Sequence, residues 1–336
     1  MARKVYHPLG FSKVFIFAGA MLGFSLARLQ FFDFNGKMCG GGPGGTLPGE
    51  CFWYKKYLSS EVGIRMHLLG VLPAGVLVCF QFVPAVRRKW MLFHRVNGYV
   101  IFLLVLAGII GGLMIARHAV GGGLDIQAGT GFLALVVSVE LALAWWNIKK
   151  LQIDQHRAWM LRAWFLMGTP ITTRLILFIA AQIISKQGNY FQPRLCEHIQ
   201  FMVESATETL EHYPECASYF NGSNSVQQVL VRASMSSDRL EEIAVALGAP
   251  FGMALWLGMA IQAAGVEIYL QLTPRESNRL RQVSYHRQLE AGYTPAGSAG
   301  LVPERLGDAD AWVPVTDVGI KTGAGMPFPN VTTDGE

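Results

Sequence analysis

Two histidine–arginine pairs stand out as groups that could do chemistry: His94-Arg95 at the head of His94-Arg95-Val96-Asn97-Gly98, and His156-Arg157 at the head of His156-Arg157-Ala158-Trp159-Met160. Each stands where a basic loop gives way to an apolar run, so both lie at one membrane face if the runs span a bilayer. Two imidazoles from facing helices can supply both axial nitrogens of a haem b iron, with Arg95 and Arg157 holding the propionates. The alternative is that a His-Arg pair at a helix start meets lipid head groups. His67 and His118 fall at the opposite face.

Two charges of opposite sign lie inside apolar runs, Glu140 and Arg174. A charge in hydrocarbon is costly and faces a partner or a cavity. At ~1.5 Å per residue, Glu140 is about 10 Å from one end of its helix and Arg174 about 15 Å from the other end of the next. In a core about 30 Å thick that leaves about 5 Å between their levels. They read as a structural ion pair or as a proton or substrate site. Burial can also hold Glu140 protonated, as the acid of a membrane-embedded cyclase or isomerase. Arg174 follows His156 by five helical turns and shares its face. Gln81 lies fourteen positions after His67, ~1400° around, so the two line one stripe.

Long apolar helices must position these groups. The chain of 336 residues is 51% apolar and 15% charged, with mean hydropathy +0.32, outside the range of soluble globular proteins. Its net charge of +5 sits in short clusters beside the apolar runs, as orientation signals do. Nucleic acid is therefore excluded as a partner, and the lipid bilayer is expected as the surroundings. Four of five cysteines fall in two polar loops, Cys39 with Cys51 and Cys196 with Cys216, leaving Cys79 in an apolar run.

The fold expected is all-α, a polytopic transmembrane bundle of about six spans with a central four-helix core. Residues 1–13 are a basic cytoplasmic terminus, and 14–32 form a first span or a signal peptide, with the retained helix favoured because the apolar run continues past Ala27. Residues 33–61 are an outer loop whose glycine run, Gly40 to Gly45, lacks the Gly-Lys-Ser/Thr of a phosphate cradle. The core is 62–184, its spans beginning near 62, 96, 126 and 158. Arg87, Arg88 and Lys89 mark an inner turn. The polar segment 185–248 is an outer loop with short helices, where Asn221-Gly222-Ser223 is a glycosylation acceptor and disulfides can persist. Asp238 to Glu241 looks like a capping box for a helix stopping at Gly248-Ala249-Pro250. Residues 249–272 are the last span. Residues 273–336, rich in Gly, Pro and Thr, read as a disordered cytoplasmic tail, leaving the sequon at Asn330 unused.

These motifs together resemble the multi-pass membrane family known as domain of unknown function 2306 over residues 62–184. The family pattern matches at His67, His94, Arg95, Gly98, His156, Arg157, Trp159, Met160, Arg162 and Arg174. The resemblance implies the fold and no activity. Fungal members have similar long outer loops and polar tails, and some are encoded beside secondary-metabolite genes, so a fungal-type member tied to a biosynthetic pathway is implied. A looser similarity is to ascorbate-reducible b-type cytochromes. There 126–146 departs by having no histidine, which leaves a single haem site at His94 and His156.

The leading reading is a multi-pass protein of a secretory-pathway or plasma membrane that serves transport, binding or assembly, with a small apolar substrate or other membrane proteins as partners. The alternatives are a haem b redox protein and the cyclase or isomerase using Glu140. No Gly-x-Ser-x-Gly or His-Glu-x-x-His pattern supports a soluble-type hydrolase.

Overall fold

The computed structural model describes residues 8–40, 45–83, 86 and 89–315, with backbone alone over 8–16. Arg87, Arg88, most of the glycine run and Asn330 lie outside the described residues. The chain divides into two compact units, Met1–Ala142 with Trp159–Tyr269, and Leu143–Ala158 with Leu270–Glu336.

In the larger unit, helix α1 (Pro8–Arg28) is followed by a short turn, and α2 (Glu50–Lys56) leads into α3 (Leu58–Gln81) and α4 (Met91–Ile115). Helix α5 is Leu124–Lys149, and α6 (Ile153–Met167) runs into α7 (Thr169–Gln187). Five stretches are long and apolar enough to cross a membrane: α3, α4, α5, 153–187 and 240–271. A shorter apolar helix, Phe17–Phe32, lies where the sixth span is expected. The helices start a few residues before the apolar runs, taking polar groups such as His94 and Asn97 into their first two turns. Leu69, Leu103, Leu135, Leu175 and Ile179 are more than half exposed, as lipid-facing side chains are.

Packing explains why α3 and α4 pair. A Cβ on Gly70 would lie 2.5 Å from the Gly108 nitrogen and the Leu104 oxygen, and one on Gly111 2.5 Å from the Gly63 oxygen and His67 nitrogen. Glycine alone allows backbones so close, the small-residue contact by which membrane helices associate. Met21 of α1, Ala74 and Val78 of α3, Ile101 and Val105 of α4, Val137 and Leu141 of α5, and Ala163 and Trp164 of α6 form the main apolar core. Ser25 of α1 is buried against Gly75.

The segment 185–248, expected as a loop with short helices, contains α8 (Cys196–Val203), α9 (Ala206–His212) and α10 (Ala217–Phe220). It also holds a two-stranded antiparallel sheet, β1 (Phe191–Leu195) and β2 (Gln228–Arg232), in register from Phe191↔Arg232 to Leu195↔Gln228. Val229 and Val231 of β2 are buried around the Cys196–Cys216 disulfide. Cys39 and Cys51 form the other expected bridge. The expected capping box is not made: α11 (Leu240–Gly248) starts after Arg239, which provides no side-chain cap. Glu241 instead accepts from the Tyr213 hydroxyl at 3.3 Å, and Glu242 pairs with Arg232 and Arg239. Helix α12 (Phe251–Gln271) follows at once, with Ala249 still helical.

The smaller unit corrects the reading of 273–336 as disordered from its first residue. Helix α13 (Pro274–Glu290) and the turn α14 (Pro303–Leu306) are folded here. Side-chain amides do what apolar periodicity does elsewhere. Gln288 donates to the Lys150 oxygen at 3.0 Å and to Gln152 Oε1 at 2.8 Å, while its Oε1 accepts from the Gly297 amide at 2.6 Å. Asn147 Oδ1 accepts from the Leu301 amide at 2.9 Å, and Arg281 pairs with Asp154 and Glu304. Asn147, Gln152, Ser284 and Gln288 are fully buried, so each bond formed avoids a large desolvation cost.

Candidate functional site

The polar stripe of α3 is spent on α4. His67 Nδ1 lies 2.7 Å from the Gly108 oxygen, which can only accept, so Nδ1 carries the proton and Nε2 keeps its lone pair. Gln81 Nε2 donates to the His94 oxygen at 3.0 Å, and Asn97 Nδ2 to the Leu77 oxygen at 3.1 Å. These bonds tie two antiparallel helices at three levels.

Glu140 and Arg174 do not pair. Glu140 is buried, and its Oε2 has no hydrogen-bond partner among the described residues. Arg162 and Glu267 are the charges that act on it, and they bond each other at 2.6 and 3.1 Å. Arg174 Nη1 donates to the Pro170 oxygen at 2.8 Å, four residues back, and its Cζ stands 5.0 Å from the centre of the Phe24 ring. Among the described residues no carboxylate reaches it. Its charge acts on His67 and on Tyr54, which identifies a buried group at the junction of α1, α2, α3 and α7.

Tyr54 leads to a residue that sequence reasoning missed. Its hydroxyl donates to Glu50 Oε2 at 3.2 Å, and Glu50 Oε1 accepts from the Val120 amide at 2.8 Å. Burial raises the Glu50 carboxyl to about 7 against these bonds and the nearby Arg194, and burial likewise raises the Tyr54 hydroxyl. Beside it, His198 Nε2 donates to the Gly49 oxygen at 3.0 Å and stacks on Phe52, and burial lowers its imidazole to about 4. Gly49 has φ +83°, a conformation suited to glycine. His118 stacks at 4.7 Å on Trp53 and 4.9 Å on Tyr57. The loops gave no periodic pattern from which Glu50 or His198 could be read as buried.

The residues expected to hold haem fall in different units of the chain. His94 belongs to the larger unit, in the first turn of α4, with Arg95 exposed beside it. His156 belongs to the smaller unit, and its Nδ1 donates to the Ala144 oxygen at 2.9 Å, which leaves the Nε2 lone pair free of that bond. Arg157, expected on a propionate, bonds Thr273 at 3.2 Å and Ser277 at 3.5 Å.

Residues 64–196 match the model of a family described as predicted membrane protein (DUF2306), and the resemblance stated from the motifs is borne out. That range includes His67, His94, Glu140, His156, Arg174 and Arg194. A fungal relative is Ava biosynthesis cluster protein G of Aspergillus versicolor, 24% identical over 299 residues, which cover 76% of this chain and 86% of that protein. No solved structure matches the chain.

Proposed function

We propose that this membrane protein is a binding component of a biosynthetic pathway, taking from the bilayer a small, largely apolar molecule whose acidic end meets Arg174. The observation that carries this reading is the guanidinium of Arg174, held within the span 153–187 by one carbonyl and one aromatic face, without a carboxylate among the described residues. An unneutralised cation at that depth is expensive, and an anionic ligand removes the expense. The biosynthetic setting is taken from the printed name of the relative.

Decanoate and methyl decanoate, added to the protein in nanodiscs and followed by thermal unfolding, test it. Decanoate should stabilise the protein and the neutral ester should not. Arg174→Gln should weaken decanoate at least tenfold. Equal stabilisation by acid and ester on the unaltered protein refutes the reading even if the variant does not fold.

A second reading is supported by Glu140, whose buried Oε2 has no hydrogen bond among the described residues. Here it is the acid of a cyclase or isomerase. Glu140→Gln in a producing strain should then accumulate an unrearranged precursor, and an unchanged product profile removes this reading.

A further inference from the structure

A cavity of about 210 Å³ opens at the disulfide-bearing end of the larger unit, between residues 120–126, the strand residues 192–194 and the 248–249 turn. Two side chains of opposite charge line it, Arg194 and Asp125. Both occupy room left by glycine. A Cβ on Gly121 would lie 2.9 Å from Arg194 Nη1, and one on Gly248 2.8 Å from Nη2. A Cβ on Gly252 would overlap the Asp125 carboxylate. Gly121 also has φ +90°, where a residue with a Cβ is strained.

The charges are not spent on each other. Arg194 Nη2 donates to Gln192 Oε1 at 2.8 Å, and Nε is buried without a hydrogen-bond partner among the described residues. Neither Arg194 nor Asp125 forms a salt bridge among the described residues. Glu50 is the acid whose charge reaches Arg194. It already holds the Val120 amide and the Tyr54 hydroxyl, and with its carboxyl at about 7 it neutralises Arg194 only in part near neutral pH.

We propose that this cavity binds a group bearing an anion and a primary ammonium a few ångströms apart, the anion on Arg194 and the ammonium on Asp125. A guanidinium offers a planar fork to a carboxylate or phosphate, and a carboxylate accepts N–H bonds from an ammonium. A quaternary ammonium has no N–H to give. The volume corresponds to roughly seven waters at ~30 Å³ each, the size of a small amino acid or an ethanolamine phosphate. The cavity lies beside the first residues of α5 and α12. Free amino acids and the head groups of ethanolamine phospholipids share this chemistry.

The full chain, purified in mild detergent and stripped of lipid, is titrated by calorimetry with L-alanine, glycerophosphoethanolamine and glycerophosphocholine. Binding of alanine alone assigns the site to a free amino acid, binding of glycerophosphoethanolamine alone assigns it to lipid, and binding of both supports the shared pair of charges. In each case glycerophosphocholine should bind at least tenfold more weakly. Asp125→Asn, at an exposed side chain, should keep the fold and lower affinity at least tenfold, as should Arg194→Gln. Failure of all three probes to bind, equal binding of the choline compound, or unchanged affinity in Asp125→Asn overturns the assignment.

Discussion

Arg162 and Glu267 are joined by two hydrogen bonds, from Nε at 2.6 Å and from Nη2 at 3.1 Å, and the guanidinium also covers the Trp159 ring at 4.7 Å. The bond links α6 to α12, far apart in sequence. Glu267 is half exposed, so the gain from the pair is modest, about 1 kcal/mol. A double-mutant cycle with Arg162→Gln and Glu267→Gln, read by thermal unfolding in detergent, should return a coupling of that size. Strict additivity of the two losses would show that the charges do not interact.

The loop layer should carry two opposed pH dependences. Glu50 is raised from 4.5 to about 7 by burial, so its contribution is complete below about 4.5 and is lost as pH rises through about 7. His198 is lowered from 6.5 to about 4 by burial, so its contribution is present above about 6.5 and is lost as pH falls through about 4. Each is on the order of 3 kcal/mol. The unaltered protein should therefore change little in stability between pH 4.5 and 6.5. Glu50→Gln should expose a loss on acidification, whereas a flat profile in that variant contradicts the His198 half of the argument.

The glycine seam predicts a contrast between helical glycines. Gly70→Ala forces a methyl into backbone atoms of α4 and should cost about 1–3 kcal/mol. Gly131→Ala has nothing within 4 Å of the added carbon and should leave the melting temperature unchanged or slightly higher. Equal effects at the two positions would mean that α3 and α4 are not pressed together.

Asn221 is exposed and its Oδ1 accepts from the Ser223 amide at 2.9 Å. If the segment 185–248 is luminal or extracellular, expression in a eukaryotic host should add a glycan that Asn221→Gln removes. The Cys39–Cys51 and Cys196–Cys216 bridges should then shift migration on reduction and each contribute about 3 kcal/mol. A glycan lost only with Asn330→Gln would reverse the orientation.

Colour tests the haem b alternative. Protein expressed with haem supplied should show a reducible Soret band that His94→Ala and His156→Ala each abolish and His118→Ala leaves intact, because His118 is engaged with Trp53 and Tyr57. A colourless preparation leaves His94 at the interface and His156 as a tie to Ala144.

The spans and both bridges were legible in the sequence because apolar run length and cysteine placement report local facts. Pairing was not, because neighbours in a bundle need not be neighbours in the chain. Comparing the depths of Glu140 and Arg174 supposed that consecutive helices exchange partners, but Arg162 finds its acid on the last span. Glu50 and Arg194 sat in loops whose burial comes from long-range packing. The strand Gln228-Val-Leu-Val-Arg232 did carry an alternating signal, with Val229 and Val231 inward, which the all-helical reading passed over. The fold of α13 was hidden because buried glutamines look the same in sequence as exposed ones.

The seam of Gly63, Gly70, Gly108 and Gly111 also decides where a door can open. Backbones too close for a methyl group are too close for an acyl chain, and the bonds at His67, Asn97 and Gln81 pin the same two helices along their length. An acyl chain cannot pass between those two backbones at the seam. The helical ladder is interrupted instead at the join of α6 and α7, where the Gly168 amide bonds back to Phe165 and Pro170 has no amide to give. Arg174 stands one turn beyond that join and donates to the Pro170 oxygen, so a molecule that bound its guanidinium as proposed would compete for the bond that holds the first turn of α7.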